Sequence, residues 1–385
     1  MADGNDSPKK LDKDQALRLA HQGKDAWNAW AKEHPGWIVG FSGYDFTNDP
    51  ISFAGFIFPG SVSFVRCTFS NADFYRAQFG GDLVHFSEVT FNGGADFSDV
   101  RFSGVAIFSG TNFNEGVANF FAAQFGGMTN FSAVQFCKEG ADFQNSVFVR
   151  EARFTKARFE GAADFRIANF QSAVYLDGAC CKQVPDFRYT KQERHFTLHG
   201  VEVDYAVHKN DRGFLLGVAC KRAADISDAD KFRRLKELAM QAKDHDREQA
   251  FFANELKAKR FYETKDFGGL AWSYLYEWFS DFGRSVSLPA LWLVLTWFVF
   301  GAGYWLASPV KALGALMVLG NGLKLSASVL VPFVAAARTS YREAKEALYG
   351  PDTGLLLDMF VIFEGILGLA FVFLIGLALR NRFRI

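Results

Sequence analysis

The sequence predicts a mainly β protein: a four-sided β-helical solenoid with an N-terminal capping helix, followed by an α-helical linker and a C-terminal helical transmembrane domain. Three observations carry this. Between Phe53 and Phe170 a phenylalanine returns every five or six residues, as at Phe74, Phe79, Phe86, Phe91, Phe97 and Phe102. Two positions before nearly every one stands a small or β-branched residue, such as Ala72, Ala77, Val100 or Ala118. Beyond the repeats, two stretches of about 20 mostly apolar residues are each long enough to cross a hydrocarbon layer.

A spacing near five fits neither the helical period of about 3.6 nor the strand period of 2. A short fixed period is the mark of a solenoid. A unit that sends one large and one small residue inward must turn a corner afterwards, and four units close a square coil. Phe74, Phe97, Phe120, Phe143 and Phe165 then fall one coil apart, so their rings should stack along the axis as the structural core. Adjacent coils should lie about 4.8 Å apart with backbone groups paired coil to coil. The small residue two positions earlier leaves room for the ring. Asn119, beside Phe120, should face outward.

The segments Ala72-Asp73-Phe74-Tyr75-Arg76 with Ala77-Gln78-Phe79, and Ala152-Arg153-Phe154-Thr155-Lys156 with Ala157-Arg158-Phe159, resemble the pentapeptide-repeat family. That resemblance implies a right-handed quadrilateral β-helix. The sequence departs from a strict five-residue repeat by alternating five with six or seven. The extra residue falls beside glycine, as in Asn92-Gly93-Gly94, Glu115-Gly116, Glu139-Gly140 and Glu160-Gly161. Glycine is expected there if the corner needs positive φ.

Length and composition set the outer bounds. At 385 residues two or three domains are expected. The 42 basic and 42 acidic residues cancel, so no global field favours nucleic acid. Cys67, Cys137, Cys180, Cys181 and Cys220 show no disulfide or metal spacing. Cys67 takes an interior repeat position as a small hydrophobe, and a reducing, cytoplasmic setting suits the solenoid. Met1 to Lys13 is polar and charged, so no secretory signal is expected.

Along the chain, 1–10 reads as a disordered tail and 11–36 as an N-terminal capping helix. Leu11, Leu17, Trp27 and Trp30 share one face of that helix, and Pro35-Gly36 ends it. The stretch from Gln22 to Trp30 resembles the helix that precedes the first coil in many pentapeptide-repeat proteins. Its task would be to cover an open β-helix end, where backbone groups are unpaired. The β-helix takes 37–205, and 206–280 reads as an amphipathic helical linker. Within it, Ser227-Asp228-Ala229-Asp230 looks like a capping-box start, and Phe232, Leu235, Leu238 and Ala239 form one face.

The membrane domain takes 281–385, with spans at about 287–306 and 355–379. Trp278 to Ser287 reads as an interfacial lead-in. Between the spans, 312–337 is moderately apolar but carries Lys324 and Pro332. Arg284 precedes the first span, and Arg380, Arg382 and Arg384 follow the last. Basic flanks on both sides place both on the cytoplasmic side, which requires an even number of crossings. The middle segment is therefore read as re-entrant or interfacial, since Lys324 in a lipid-facing span would cost about 2.5–3.5 kcal/mol. The ending from Gly376 to Ile385 resembles membrane-anchored bacterial pentapeptide-repeat proteins. That implies a multi-pass protein of the bacterial inner membrane, both termini cytoplasmic, with two spans and a loop arranged as in simple ion channels. No potassium-type filter sequence occurs in the loop.

Three residues are candidates for a pore or membrane role. Glu364 lies well inside the last span, where a carboxyl group faces a bundle interior, lines an aqueous path or ties helices together. Asp358 sits nearer the end, at the interface. Lys324 either snorkels or pairs with Glu364. His195, His199 and His208, near Cys180 and Cys181, match no firm zinc pattern. Gly301-Ala302-Gly303 lies inside a span, where glycine serves packing and not phosphate binding. No catalytic constellation, cofactor motif or metal site is evident, and a non-enzymatic protein is expected.

Three functional readings stay open. One is an oligomeric, channel-like membrane domain with the solenoid as a cytoplasmic scaffold or sensor. Another is a membrane-tethered interaction scaffold that does not conduct. The third is a DNA-mimicking topoisomerase inhibitor, disfavoured by the small acidic excess over the repeats and by Arg150, Arg153, Lys156, Arg158 and Arg166 on the later coils. The expected partners are a lipid bilayer, further copies of the chain and a cytoplasmic protein for the β-helix. Nucleic acid is not expected.

Overall fold

The computed structural model describes residues 9–205, 207–215, 218–309, 315–330, 335–350 and 354–383. The chain divides into two compact units, Met1–Glu263 and Thr264–Ile385.

The first unit is built on a β-solenoid. Short parallel strands, most of them two residues long, stack into sheets of nine, five, seven and seven strands, one for each side of the coil. The register follows the repeat: Ala95 lies on Ala72 and Ala118, and Phe102 lies on Phe79 and Phe125. Backbone bonds run from coil to coil, as from Phe97 N–H to the Asn119 carbonyl and from Phe120 N–H to the Asp142 carbonyl, each 2.7 Å.

Phenylalanines fill the interior. Phe74, Phe97, Phe120, Phe143 and Phe165 form a near-parallel column with successive ring centroids 4.8, 4.9, 4.9 and 4.9 Å apart. A second column, through Phe86, Phe108 and Phe131, meets it edge-on, as in the 90° contact of Phe97 with Phe108 at 5.6 Å. Ala95, Ala118 and Ala141 are buried beside the rings, giving them the space the pattern implied. Stacked and edge-on pairs of this kind add about 0.5–1.5 kcal/mol each beyond area burial. Cys67 and Cys181 are buried in the same interior, and desolvation pushes their thiols up to about 11 and about 12.

The corners differ in part from the sequence reading. Gly116 and Gly140 do take positive φ, at 72° and 92°. Gly93 and Gly161 do not. There a Cβ would run into the carbonyls of Ser70 and Lys138 on the preceding coil, so close backbone approach selects glycine. Most left-handed corner positions are held by other residues, among them Arg76, Asp99, Ala122 and Asn145. Backbone bonds to the next coil keep them so, such as Asp99 N–H to the Phe121 carbonyl at 2.8 Å.

Both ends of the solenoid are covered. In place of one capping helix over 11–36 there are a strand and two helices. Lys10–Leu11, read as the junction of tail and helix, forms a strand beside Ile38–Val39. Two helices follow, α1 (Lys13–His21) and α2 (Lys24–Glu33), divided by Gly23 at φ 88°. The buried Trp27 of α2 lies over Phe56 at 5.3 Å and donates its indole N–H to the Ile57 carbonyl at 2.9 Å. Asn28 accepts from Ile57 N–H at 2.8 Å and donates to the Gly55 carbonyl at 3.0 Å. The cap thus supplies both apolar cover and partners for backbone groups that the first coil leaves open.

The linker read as helical begins instead with an antiparallel hairpin, Val207–Leu215 with Val218–Ala223, in which Leu215 pairs with Val218. This stretch has no 3.6-residue apolar stripe and carries Gly213 and Gly217, which weaken a helix. Helix α3 (Asp228–Gln241) follows. The Ser227 hydroxyl does not cap it, but donates to the Asp225 carboxylate at 2.9 Å. Phe232, Leu235, Leu238 and Ala239 of α3 are buried. Arg234 donates to the carbonyls of Phe187 and Thr190 at 3.3 and 3.1 Å, closing the last coil. Helix α4 (His245–Lys259), capped by Asp244, lies against α3 with Phe251 at 6.4 Å from Phe232.

Candidate functional site

The second unit begins with α5 (Phe267–Ser280), capped by Asp266. The lead-in expected over Trp278 to Ser287 is instead the end of this helix and a tight turn, with Asp281, Phe282 and Gly283 at positive φ. Two helices are long and apolar enough to cross a membrane: α6 (Ser287–Ala307), with mean hydropathy 1.6, and a later one, with mean hydropathy 2.5. Between them come α7 (Ala315–Leu330) and α8 (Ala335–Tyr349), and the later helix is α9 (Leu355–Phe383).

Helix α7 runs back along α6. The Trp297 indole N–H donates to the Leu323 carbonyl at 2.9 Å. Gly301 faces Gly322 so closely that a Cβ on Gly322 would strike the Gly301 carbonyl. Small residues permit this approach where helices associate by packing alone. Leu330, the end of α7, lies against Gly368, about halfway along α9. Helix α8 then returns. Glu343 pairs with Lys324 at 2.7 Å, and Lys345 pairs with Asp358 at 3.0 Å. At the end of the return, the Tyr349 hydroxyl donates to the Tyr304 carbonyl, and the Ser308 hydroxyl to the Leu348 carbonyl. The two helices therefore form a hairpin that starts and finishes near the C-terminal end of α6. Residues 331–334, including Pro332, lie outside the described residues.

Glu364 of α9 is fully enclosed by this packing. One carboxyl oxygen accepts the Tyr304 hydroxyl of α6 at 2.6 Å, and the other meets the Ser326 hydroxyl of α7. Ser326 also stands 3.0 Å from the Trp297 carbonyl. Three helices are thus joined through one side chain. Of the sequence candidates, Glu364 lies inside, Lys324 reaches Glu343 and not Glu364, and Asp358 pairs with Lys345 on α8. The expected core phenylalanines Phe74, Phe97, Phe120, Phe143 and Phe165 are all buried in the solenoid.

Replacing Glu364 tests the knot directly. Glu364→Gln keeps an acceptor for Tyr304 and should leave the melting temperature of the detergent-solubilised protein nearly unchanged. Glu364→Leu removes both interhelical hydrogen bonds, strands the buried Tyr304 hydroxyl and leaves Ser326 only the Trp297 carbonyl. It should cost about 1–2 kcal/mol, given about 0.6–1.7 kcal/mol per interhelical hydrogen bond in membranes. Equal melting temperatures for the two variants would remove Glu364 from this role.

The sequence reading missed Arg338 and Arg342. Both are exposed on α8, one turn apart, and with Lys345 they flank a groove of about 710 Å³ whose other wall is Val361, Gly365 and Leu369 of α9. Among the described residues no carboxylate pairs with either arginine. The signal is a basic i, i+4, i+7 stripe, but the re-entrant segment read from the sequence ends at 337, before the stripe begins. His195 and His199 are exposed on the last coils, the side chain of His208 lies outside the described residues, and no metal-holding cluster occurs among the described residues.

A family model described as pentapeptide repeats, nine copies, matches residues 53–101. With the four-sided coil that continues this pattern through residue 203, the first unit is a pentapeptide-repeat β-solenoid. The chain thus carries a pentapeptide-repeat β-solenoid, and its C-terminal helices include two long and apolar enough to span a membrane. Comparison with curated proteins and with solved structures yields no match.

Proposed function

We propose that the protein is a non-enzymatic, multi-pass protein of the bacterial inner membrane. In this reading copies of the second unit assemble into a channel-like pore, and the pentapeptide-repeat solenoid serves as a cytoplasmic scaffold or sensor. The observation that carries the reading is the return limb α8, which places the exposed Arg338 and Arg342 on a hairpin flanked by two apolar helices of spanning length. An arginine facing hydrocarbon costs about 2.5–3.5 kcal/mol, and ionisable groups at that depth face a bundle interior or a water-filled cavity. Two spans and a hairpin cannot enclose such a cavity alone, so a ring of copies would have to supply its other walls.

The topology that fits has both basic flanks, Arg284 and Arg380 to Arg384, in the cytoplasm, with the hairpin opening outward. Cysteine introduced at Arg338 should react with a membrane-impermeant thiol reagent added from outside, and the detergent-solubilised protein should have the mass of an oligomer. Purified protein in liposomes should dissipate an imposed ion gradient. A strict monomer that moves no ions would leave the membrane-tethered scaffold as the function. A solenoid that inhibits DNA supercoiling would favour the DNA-mimic reading.

A further inference from the structure

The groove beside α8 has a definite charge pattern. Lys345 lies near the open end of the hairpin, where Asp358 neutralises it at 3.0 Å, and Glu346 lines the same end. Lys324 is neutralised by Glu343 at 2.7 Å. Running back along α8 from Lys345 towards the apex, Arg342 comes first and Arg338 last, about 10 Å from Lys345 at 1.5 Å per residue. The opposite wall at these levels is Gly365 and Leu369, which carry no charge. The deepest charged positions of the groove are therefore two exposed arginines without a counter-ion among the described residues.

We propose that Arg338 and Arg342 form the selectivity element of the pore and that the ions it passes are small inorganic anions such as chloride. The proposal rests on the pore reading above. A ring of copies would stack two rings of guanidinium groups, one turn or about 6 Å apart in depth, and rings of arginine or lysine are the arrangement that favours anions in pores. A guanidinium stays charged at any physiological pH, so the field does not switch off. A cation reaching that depth meets like charge between low-dielectric walls, which raises its barrier, while an anion meets opposite charge. The pairs at Lys324 and Lys345 add no net charge, and the single carboxylate of Glu346 at the open end leaves the groove net positive against two arginines.

The measurement is the reversal potential of the full-length protein in phosphatidylcholine bilayers under a potassium chloride gradient. The wild type should reverse on the chloride side of zero. Arg338→Glu with Arg342→Glu should invert the sign, and Arg338→Gln with Arg342→Gln should bring it to near zero. Arg338→Lys with Arg342→Lys should retain the wild-type sign. A wild-type protein that reverses on the potassium side overturns this proposal and leaves the pore intact. An assembled protein with no conductance overturns both. Unchanged selectivity in the assembled Gln variant removes the arginines as the selecting groups. Anion selectivity that appears only when phosphatidylglycerol is added assigns the arginines to a lipid headgroup instead.

Discussion

Phe120→Ala is expected to destabilise the solenoid by about 3–5 kcal/mol, the usual range for truncating a buried phenylalanine. Phe120 is fully buried, stacked between Phe97 and Phe143 at 4.9 Å on each side and met edge-on by Phe108 and Phe131. The solenoid interior cannot collapse onto the gap, because backbone pairing to the neighbouring coils fixes the position of each wall. The proper control is Gln124, exposed on the same coil, whose replacement by alanine should cost under about 0.5 kcal/mol. Asn119, read from the sequence as an outward neighbour, is a poor control. Its side chain accepts from Phe121 N–H at 3.0 Å and donates to Asp96 at 3.1 Å, so it ties adjacent coils. Urea titration of the solubilised protein, followed by circular dichroism of the β signal, separates the two substitutions. Equal midpoints would overturn the register.

Glu255→Ala should weaken the α3–α4 pair by about 3 kcal/mol, the low end for breaking a buried ion pair, because its cationic partners keep part of their hydration. The Glu255 side chain is nearly enclosed and is reached by Lys236 at 2.6 Å, Lys259 at 2.7 Å and Arg233 at 3.2 Å. Burial pushes its carboxyl upward, but hydrogen bonds and charge from Lys236 and Lys259 prevail and hold it below its ordinary 4.5. A carboxyl lowered in the folded state adds stability that is present above the unfolded value and is lost as pH falls through the folded one. The gap between wild type and Glu255→Ala in protease resistance of this segment should therefore be full at pH 7. It should shrink as pH drops below about 4.5. A gap that stays constant down to pH 2 would show that the charge contributes nothing.

The solenoid was the most legible part of the chain. Its period repeats many times, and each repeat applies the same packing rule, so one misread unit cannot shift the rest. The glycines were legible only in part. Gly93, Gly116, Gly140 and Gly161 all lie so close to a neighbouring coil that a Cβ would strike its backbone, which no single repeat reveals. Only Gly116 and Gly140 also answer to the positive φ that local sequence suggests. The pairing of Val207–Leu215 with Val218–Ala223 is illegible for a related reason, since it is made between two segments and neither alone carries a strong strand signal. At the N-terminus, amphipathic spacing was read as one helix, although Gly23 breaks it and Leu11 belongs to a sheet.

In the second unit, length and apolar composition alone mark α6 and α9, because a hydrocarbon layer sets a minimum length for any helix that crosses it. The position of Glu364 within the apolar stretch of α9 is equally plain. What that carboxyl does was decided only by tertiary structure, because Tyr304 and Ser326 reach it from helices 60 and 38 residues away. The same holds for the charges on the hairpin. Sequence could not say which lysine would find a carboxylate and which arginine would not. Composition and period determine which elements form, since those depend on residues close in the chain. The partners of each polar group depend on which faces the folded helices bring together, and in this protein that arrangement pairs Lys324 and Lys345 and leaves Arg338 and Arg342 exposed.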